Sequence, residues 1–168
     1  MHGTMPKRVV VCQGIEETHR LALELAVSHE AAPALYLLGD LGAGKTTFTK
    51  SVAGHFDIPT HRVVSPTFSL VNRYGSGRRL VYHLDLYRIE NPRELDELGI
   101  EEMEEEGALL VVEWAEKLAR YWRPDAMVVH FERLVGSDAR TRETDEAPRR
   151  LTIGAAGPLA SWNPERIT

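Results

Sequence analysis

ALYLLGDLGAGKTTFTK, residues 34–50, decides how the rest of the sequence is read. Its opening, 34–40, is an apolar run of strand length closed by glycine, the pattern of a strand buried on both faces. From Lys45 onward the pattern changes: Phe48, Val52 and Phe56 recur at four-residue steps, one face of a helix. Between the two lies Gly39-Asp40-Leu41-Gly42-Ala43-Gly44-Lys45-Thr46, which satisfies GxxxxGK[ST] at every specified position. Strand, glycine-rich turn and helix therefore follow one another for reasons independent of the motif.

Such a loop serves phosphate. Gly42 and Gly44 let successive N–H groups turn toward an anion where a Cβ would intrude. The helix start adds the positive end of its dipole. Lys45 is suited to bridge β- and γ-phosphates and the Thr46 hydroxyl to ligate Mg²⁺. Gly39, Asp40, Leu41, Gly42, Ala43, Gly44, Lys45, Thr46 and Thr47 are the candidate nucleotide contacts.

A phosphate-loop enzyme also needs a carboxylate near the metal, at the C-terminal end of a neighbouring strand. Asp85 follows Leu80–Leu84 and Glu113 follows Leu109–Val112, each an acid ending an apolar run. A carboxylate there needs a partner, either a metal or a salt bridge or capping contact. Thr67, in Ser65-Pro66-Thr67, stands where a segment can fold over a γ-phosphate and sense it, or is simply a threonine at a strand start. His83 reads as a half-buried structural histidine rather than a base. Trp114 reads as a core or interface aromatic in preference to a stacking platform. Arg88 is a phosphate contact or a surface ion pair.

Around this centre the spacing predicts an α/β fold: a mixed, mostly parallel sheet with helices on both faces. Strands are expected at 8–12, 34–40, 108–114, 127–134 and 149–154, with a hairpin of 67–74 and 80–87 about Gly75-Ser76-Gly77-Arg78. Helices are expected over 16–28, 45–56, an acidic one over 92–106 interrupted at Gly99, and from 115 to about Trp122. The polar segment 136–148 reads as a mobile loop.

At 168 residues the chain has length for one domain, 1–168. Its 43% hydrophobic and 27% charged residues are a globular balance, and no 18-residue apolar run predicts a membrane span. Lys7 and Arg8 are followed by Gln13, Glu16 and Glu17 rather than an apolar stretch, so no signal peptide is expected. Cys12 is the only cysteine, which excludes an internal disulfide and suits a reducing cytoplasm. The net charge of −5 argues against a general nucleic-acid binder. It is local: residues 90–106 hold nine acids against Arg93 alone and carry −8, leaving +3 for the rest.

Taken together, GDLGAGKTTFTK (39–50), SPTFSLVNRY (65–74), HLDLYRIENPRELDELGI (83–100) and VVEWAEKL (111–118) resemble the bacterial TsaE family in order and spacing. The likeness runs from about Thr18 to Leu118. It implies a P-loop ATPase of tRNA threonylcarbamoyladenosine biosynthesis, cytoplasmic, using ATP and Mg²⁺ and acting with TsaB and TsaD. Those partners handle transfer onto adenosine 37, so tRNA is met indirectly. The resemblance implies Lys45 and Thr46 on phosphates and Mg²⁺, Asp85 at the Walker-B-like position, Glu113 beside the metal or attacking water, and Thr67 as a switch. It also implies Trp114 near the nucleotide, Thr18 near the adenine and Arg149 as a late basic contact.

Two other classes fit a P-loop of this size. A small-molecule kinase needs lid arginines, for which Arg78, Arg79, Arg140 and Arg142 are available, but no acceptor-binding motif accompanies the loop. A nucleotide-dependent binding module needs docking without useful turnover. A GTPase is disfavoured because no NKxD motif occurs.

Overall fold

The computed structural model describes residues 7–28, 30, 32–66, 68–75, 79–134 and 147–156. Ten regular elements build it: β1 (Arg8–Cys12), α1 (Ile15–Ser28), β2 (Ala34–Gly39), α2 (Lys45–His55), β3 (Val71–Gly75), β4 (Leu80–Asp85), α3 (Ile100–Glu105), β5 (Leu109–Glu113), β6 (Met127–Arg133) and β7 (Arg149–Ala155). Short 3-10 turns at Thr60–Arg62, Pro92–Glu97 and Ala115–Tyr121 join them.

The strands form one seven-stranded sheet in the order β1-β7-β6-β2-β5-β4-β3. Its centre, β6-β2-β5-β4, is parallel, and antiparallel strands finish both edges. The hairpin of β3 and β4 is one edge, and the pair β7–β1 is a second antiparallel edge that the sequence did not announce. This is the expected mixed, mostly parallel α/β sheet of a P-loop NTPase.

Alternation along the central strands sends Leu35, Leu37, Val111, Val129 and Phe131 to one face and Tyr36, Leu38, Leu110, Val112 and Val128 to the other. The first face meets Leu21, Ala22 and Leu25 of α1 and Phe48 and Val52 of α2. The second meets Leu95, Ile100 and Met103 of the acidic segment and Leu118 and Trp122 beyond β5. Both faces are apolar, which is why these strands read as unbroken hydrophobic runs.

Four local expectations change. The first hairpin strand begins at Val71 instead of Thr67, after a turn in which Leu70 takes φ 59°. Its partner ends at Asp85, whose carboxylate accepts from the Tyr87 N–H and turns the chain. The acidic segment is a 3-10 turn and a short α-helix meeting at Gly99, whose left-handed φ of 69° breaks the run between them. The stretch after Trp114 is likewise 3-10 in geometry. Residues 76–78 of the hairpin loop and 136–146 of the expected mobile loop lie outside the described residues.

The 3-10 turn at Pro92–Glu97 starts from a capping box: the Asn91 side chain accepts from Arg93 N–H at 3.0 Å and Glu94 accepts from Asn91 N–H at 2.8 Å. Asn91→Ala is expected to cost about 1 kcal/mol, read as a lowered midpoint in urea unfolding with the slope unchanged.

Candidate functional site

The parallel register brings together residues far apart in sequence. Asp85 pairs with Glu113 across β4 and β5, and Leu37 of β2 pairs with Glu113 on the other side, so both acids stand at the strand ends beside the glycine-rich turn. Residues 81, 83 and 85 and residues 109, 111 and 113 share the face on which α2 packs. Both carboxylates therefore belong to the side on which Lys45 and Thr46 begin their helix.

Lys45 is 4% exposed, and its Nζ donates to the carbonyls of Gly39 at 2.5 Å and Asp40 at 2.8 Å. The ammonium also sits 4.2 Å from the centre of the Trp114 ring. Burial pulls its pKa below the ordinary lysine value, while Glu113, Glu116, Asp85 and Asp40 oppose that by charge. A cation held this way keeps its charge but gains from meeting an anion.

Glu113 is buried, and both of its oxygens are engaged: Oε2 accepts from the Thr46 hydroxyl at 3.0 Å and Oε1 faces His83 Nε2 at 2.8 Å. His83 is thus fully buried rather than half-buried, a correction whose cause is that it shares with Val81 the face of β4 that joins the first core cluster. Asp85, on the same face, has different partners, accepting from the Ser65 hydroxyl and the Tyr87 amide. It ties the Ser65–Pro66 segment to the sheet. Thr67, next in sequence, lies outside the described residues.

These groups line a cavity of about 310 Å³ together with Leu41, Gly42, Gly44, Thr47, Tyr87 and Trp114. Trp114 takes φ 59°, strain for a residue with a Cβ, and this turn after β5 lays its ring against Tyr87 at 5.0 Å and over Lys45. It is half-buried in the cavity wall, not core. Arg149, nearly buried at the start of β7, supports the loop from outside: a methyl on Gly44, whose φ is 105°, would stand 2.3 Å from its Nη1. Thr18 is fully buried in α1, donates to Gly14 O at 2.9 Å and lies beside Cys12, whose strand pairs with Arg149; it does not line the cavity.

Sequence reasoning missed Ser65, Tyr87 and Arg133, the last with its guanidinium 3.7 Å from where a Gly42 Cβ would lie. Ser65 carried a signal in the SPT motif and Tyr87 in HLDLYR, whereas Arg133 carried none. Arg88 stacks on the exposed Phe68 ring, 5.3 Å away. Arg79 donates to Ala32 O at the end of β4 opposite Asp85, too far round the sheet to close over the loop; Arg78, Arg140 and Arg142 lie outside the described residues.

Residues 12–143 match the family model for threonylcarbamoyl adenosine biosynthesis protein TsaE. The chain belongs to the TsaE family. It is 38% identical over 124 residues to the tRNA threonylcarbamoyladenosine biosynthesis protein TsaE of Rickettsia felis, covering 74% of this chain and 72% of that one. The Nostoc sp. protein of the same name is 35% identical over 142 residues, 82% and 84% of the two chains, and that of Bacillus subtilis 38% identical over 125, 74% and 77%. Among solved structures, the crystal structure of Bacillus subtilis YdiB superposes with a TM-score of 0.68 at 26% identity, covering 94% of this chain and 90% of that one. The sequence-stretches that carry the resemblance, from 39 to 118, all fall inside the matched segment.

The donor set suits magnesium. Mg²⁺ takes one or two carboxylates plus hydroxyl and phosphate oxygens rather than an all-protein cage. Thr46, Glu113 and neighbouring Asp85 offer oxygen alone, and among the described residues no group of three or more His, Cys, Asp or Glu encloses a metal point.

Proposed function

We propose that this chain binds ATP with Mg²⁺ at the P-loop cavity and hydrolyses it, as the nucleotide-driven component of tRNA threonylcarbamoyladenosine biosynthesis. It acts with TsaB and TsaD in the cytoplasm and leaves threonylcarbamoyl transfer, and most of the contact with tRNA, to them. The observation that carries the reading is the convergence of Lys45 Nζ, the Thr46 hydroxyl and the Glu113 carboxylate on one cavity at the start of α2.

Each residue then has a part. Lys45 exchanges two backbone carbonyls for β- and γ-phosphate oxygens, with the loop amides and the start of α2 beneath them. Thr46 and Glu113 hold the metal, which when bound neutralises charge developing on the transferred phosphoryl group. Asp85 keeps the Ser65 segment over the cavity, so that Thr67 reads the terminal phosphate, and orients water from the second carboxylate position. Trp114 and Tyr87 wall off the nucleotide, and Arg149 keeps the Gly44 turn from collapsing.

Partner dependence has support at the rim. Leu41 and Tyr87 on the cavity wall, and Val64 and Phe68 flanking Ser65–Pro66, are large apolar side chains left exposed. A partner seated there covers the nucleotide and excludes water. Among the described residues no helix is long and apolar enough to cross a membrane.

The test is phosphate release from ATP with and without Mg²⁺, TsaB and TsaD. Glu113→Gln keeps the side-chain shape but not the charge, and is expected to lower turnover by roughly 100-fold or more and to shrink the Mg²⁺-dependent part of nucleotide affinity with it. Absence of Mg²⁺-dependent release with both partners present overturns the reading. So does phosphoryl transfer to a metabolite hydroxyl faster than to water.

A further inference from the structure

His83 is wholly buried on β4, and histidines so placed are costly unless bonded at both nitrogens. Only one is. Nε2 meets Glu113 Oε1 at 2.8 Å, and Nδ1 has no hydrogen-bond partner among the described residues. A proton on Nδ1 would be an N–H with no acceptor, and it would leave the Nε2 lone pair facing a carboxylate oxygen. The ring proton therefore belongs on Nε2, where the bond to Glu113 consumes it.

Glu113 is otherwise loosely specified. It ends β5, its side chain has three rotatable bonds, and it must present a chosen oxygen to the cavity. Thr46, from α2, takes Oε2 at 3.0 Å. Alone, that contact leaves the carboxylate free to swing about it. His83, from β4, takes the other oxygen, so donors on two separate elements fix the plane of the group before any ligand arrives. His83 itself cannot turn, being enclosed at 0% exposure with its strand locked in register, His83 opposite Val111.

We propose that His83 is a positioning residue for Glu113, its Nε2–H holding the carboxylate in the orientation that receives the magnesium of the bound nucleotide. This rests on the reading of Thr46 and Glu113 as the metal-holding pair. Hydrogen bonds to the far side of a ligating group set its orientation, and their loss commonly costs 10- to 100-fold in metal affinity or activity. A purely structural histidine would instead be replaced best by an apolar side chain of similar volume, because that removes the orphan Nδ1.

Three substitutions separate these roles. His83→Gln places an amide N–H near the position of Nε2, His83→Asn places one near Nδ1 and short of Glu113, and His83→Leu fills space without a donor. The binding of a non-hydrolysable ATP analogue is titrated in EDTA and in excess Mg²⁺, with circular dichroism as the check on folding. The wild type is expected to bind more tightly with Mg²⁺. That gain should survive within a few-fold in His83→Gln and fall by roughly 10- to 100-fold in His83→Asn and His83→Leu, with EDTA affinity unchanged in all. With TsaB and TsaD, kcat/KM for MgATP should follow the same order.

A Leu variant that keeps the full Mg²⁺ gain overturns the proposal, as does a folded Gln variant no better than Leu. Equal losses in EDTA and Mg²⁺ mark a structural role only and also overturn it. A wild type that binds the analogue without any Mg²⁺ gain rejects the metal-holding reading itself, and the proposal with it. Independently of any variant, ¹⁵N NMR of the wild-type imidazoles should show His83 protonated at Nε2; an Nδ1-protonated ring overturns the proposal even if every substitution unfolds the chain.

Discussion

Alanine in place of Lys45 is expected to weaken binding of MgATP by about 100-fold or more, and to abolish turnover at ordinary nucleotide concentrations. A charge-assisted hydrogen bond contributes about 1.5–3 kcal/mol, and each 1.4 kcal/mol is tenfold in affinity. Lys45 is placed to make two such bonds to phosphate. It pays little to do so, because the ammonium is already desolvated and held near its working position by the carbonyls of Gly39 and Asp40 and by the Trp114 face. The free protein should stay folded: burial lowers the Lys45 pKa, so the charge is held against a desolvation cost that its removal relieves. Calorimetric titration with an ATP analogue checks the affinity and a thermal melt checks the fold. Affinity within a few-fold of wild type would exclude Lys45 from the phosphate site. Lys45→Arg should not rescue, since a longer, planar guanidinium cannot take the place of the compact ammonium seated between the carbonyls of Gly39 and Asp40.

A methyl group on Gly39 is expected to be the most damaging small change to the fold. Gly39 takes φ 128°, a region that residues with a Cβ rarely enter, and the added carbon would stand 2.4 Å from the carbonyl oxygen of Phe131. That oxygen belongs to β6, paired with β2 at this level, so neither side can yield without opening the sheet. Strain of this kind costs about 1–3 kcal/mol and overpacking a similar amount, so Gly39→Ala should lose roughly 2–5 kcal/mol. The damage reaches the site, because the Gly39 carbonyl receives Lys45 Nζ. Urea unfolding gives the stability loss, and nucleotide affinity at a temperature where the variant is folded should fall as well. A variant within 1 kcal/mol of wild type, roughly the cost of an ordinary surface change, would show the sheet to be more yielding here than its register implies.

Much of the site could be read directly because it is contiguous. Residues 39–46 are one turn between a strand and a helix, and their types answer to backbone requirements that act within a few residues. Asp85 and Glu113 were legible as acids ending apolar runs, a pattern visible because strands buried on both faces have no polar positions until they stop. The break in the acidic segment was legible from Gly99, whereas the 3-10 geometry before it was not, since the three-residue spacing of Leu95 and Leu98 fits either kind of helix. The start of the first hairpin strand was misplaced because Thr67 to Leu70 have strand-like residue types but use Leu70 as a turn.

What the sequence alone determined is the presence of a phosphate loop, the order of strands and helices around it and the two acids that accompany it. Only the tertiary structure decided that Asp85 and Glu113 stand side by side. It also decided that Glu113, not Asp85, bonds to Thr46, and that His83 closes on the same carboxylate. The reason is register. Which strand lies next to which, and which of two alternating faces a side chain takes, follow from packing summed over the whole sheet, and no local pattern of residues encodes that sum.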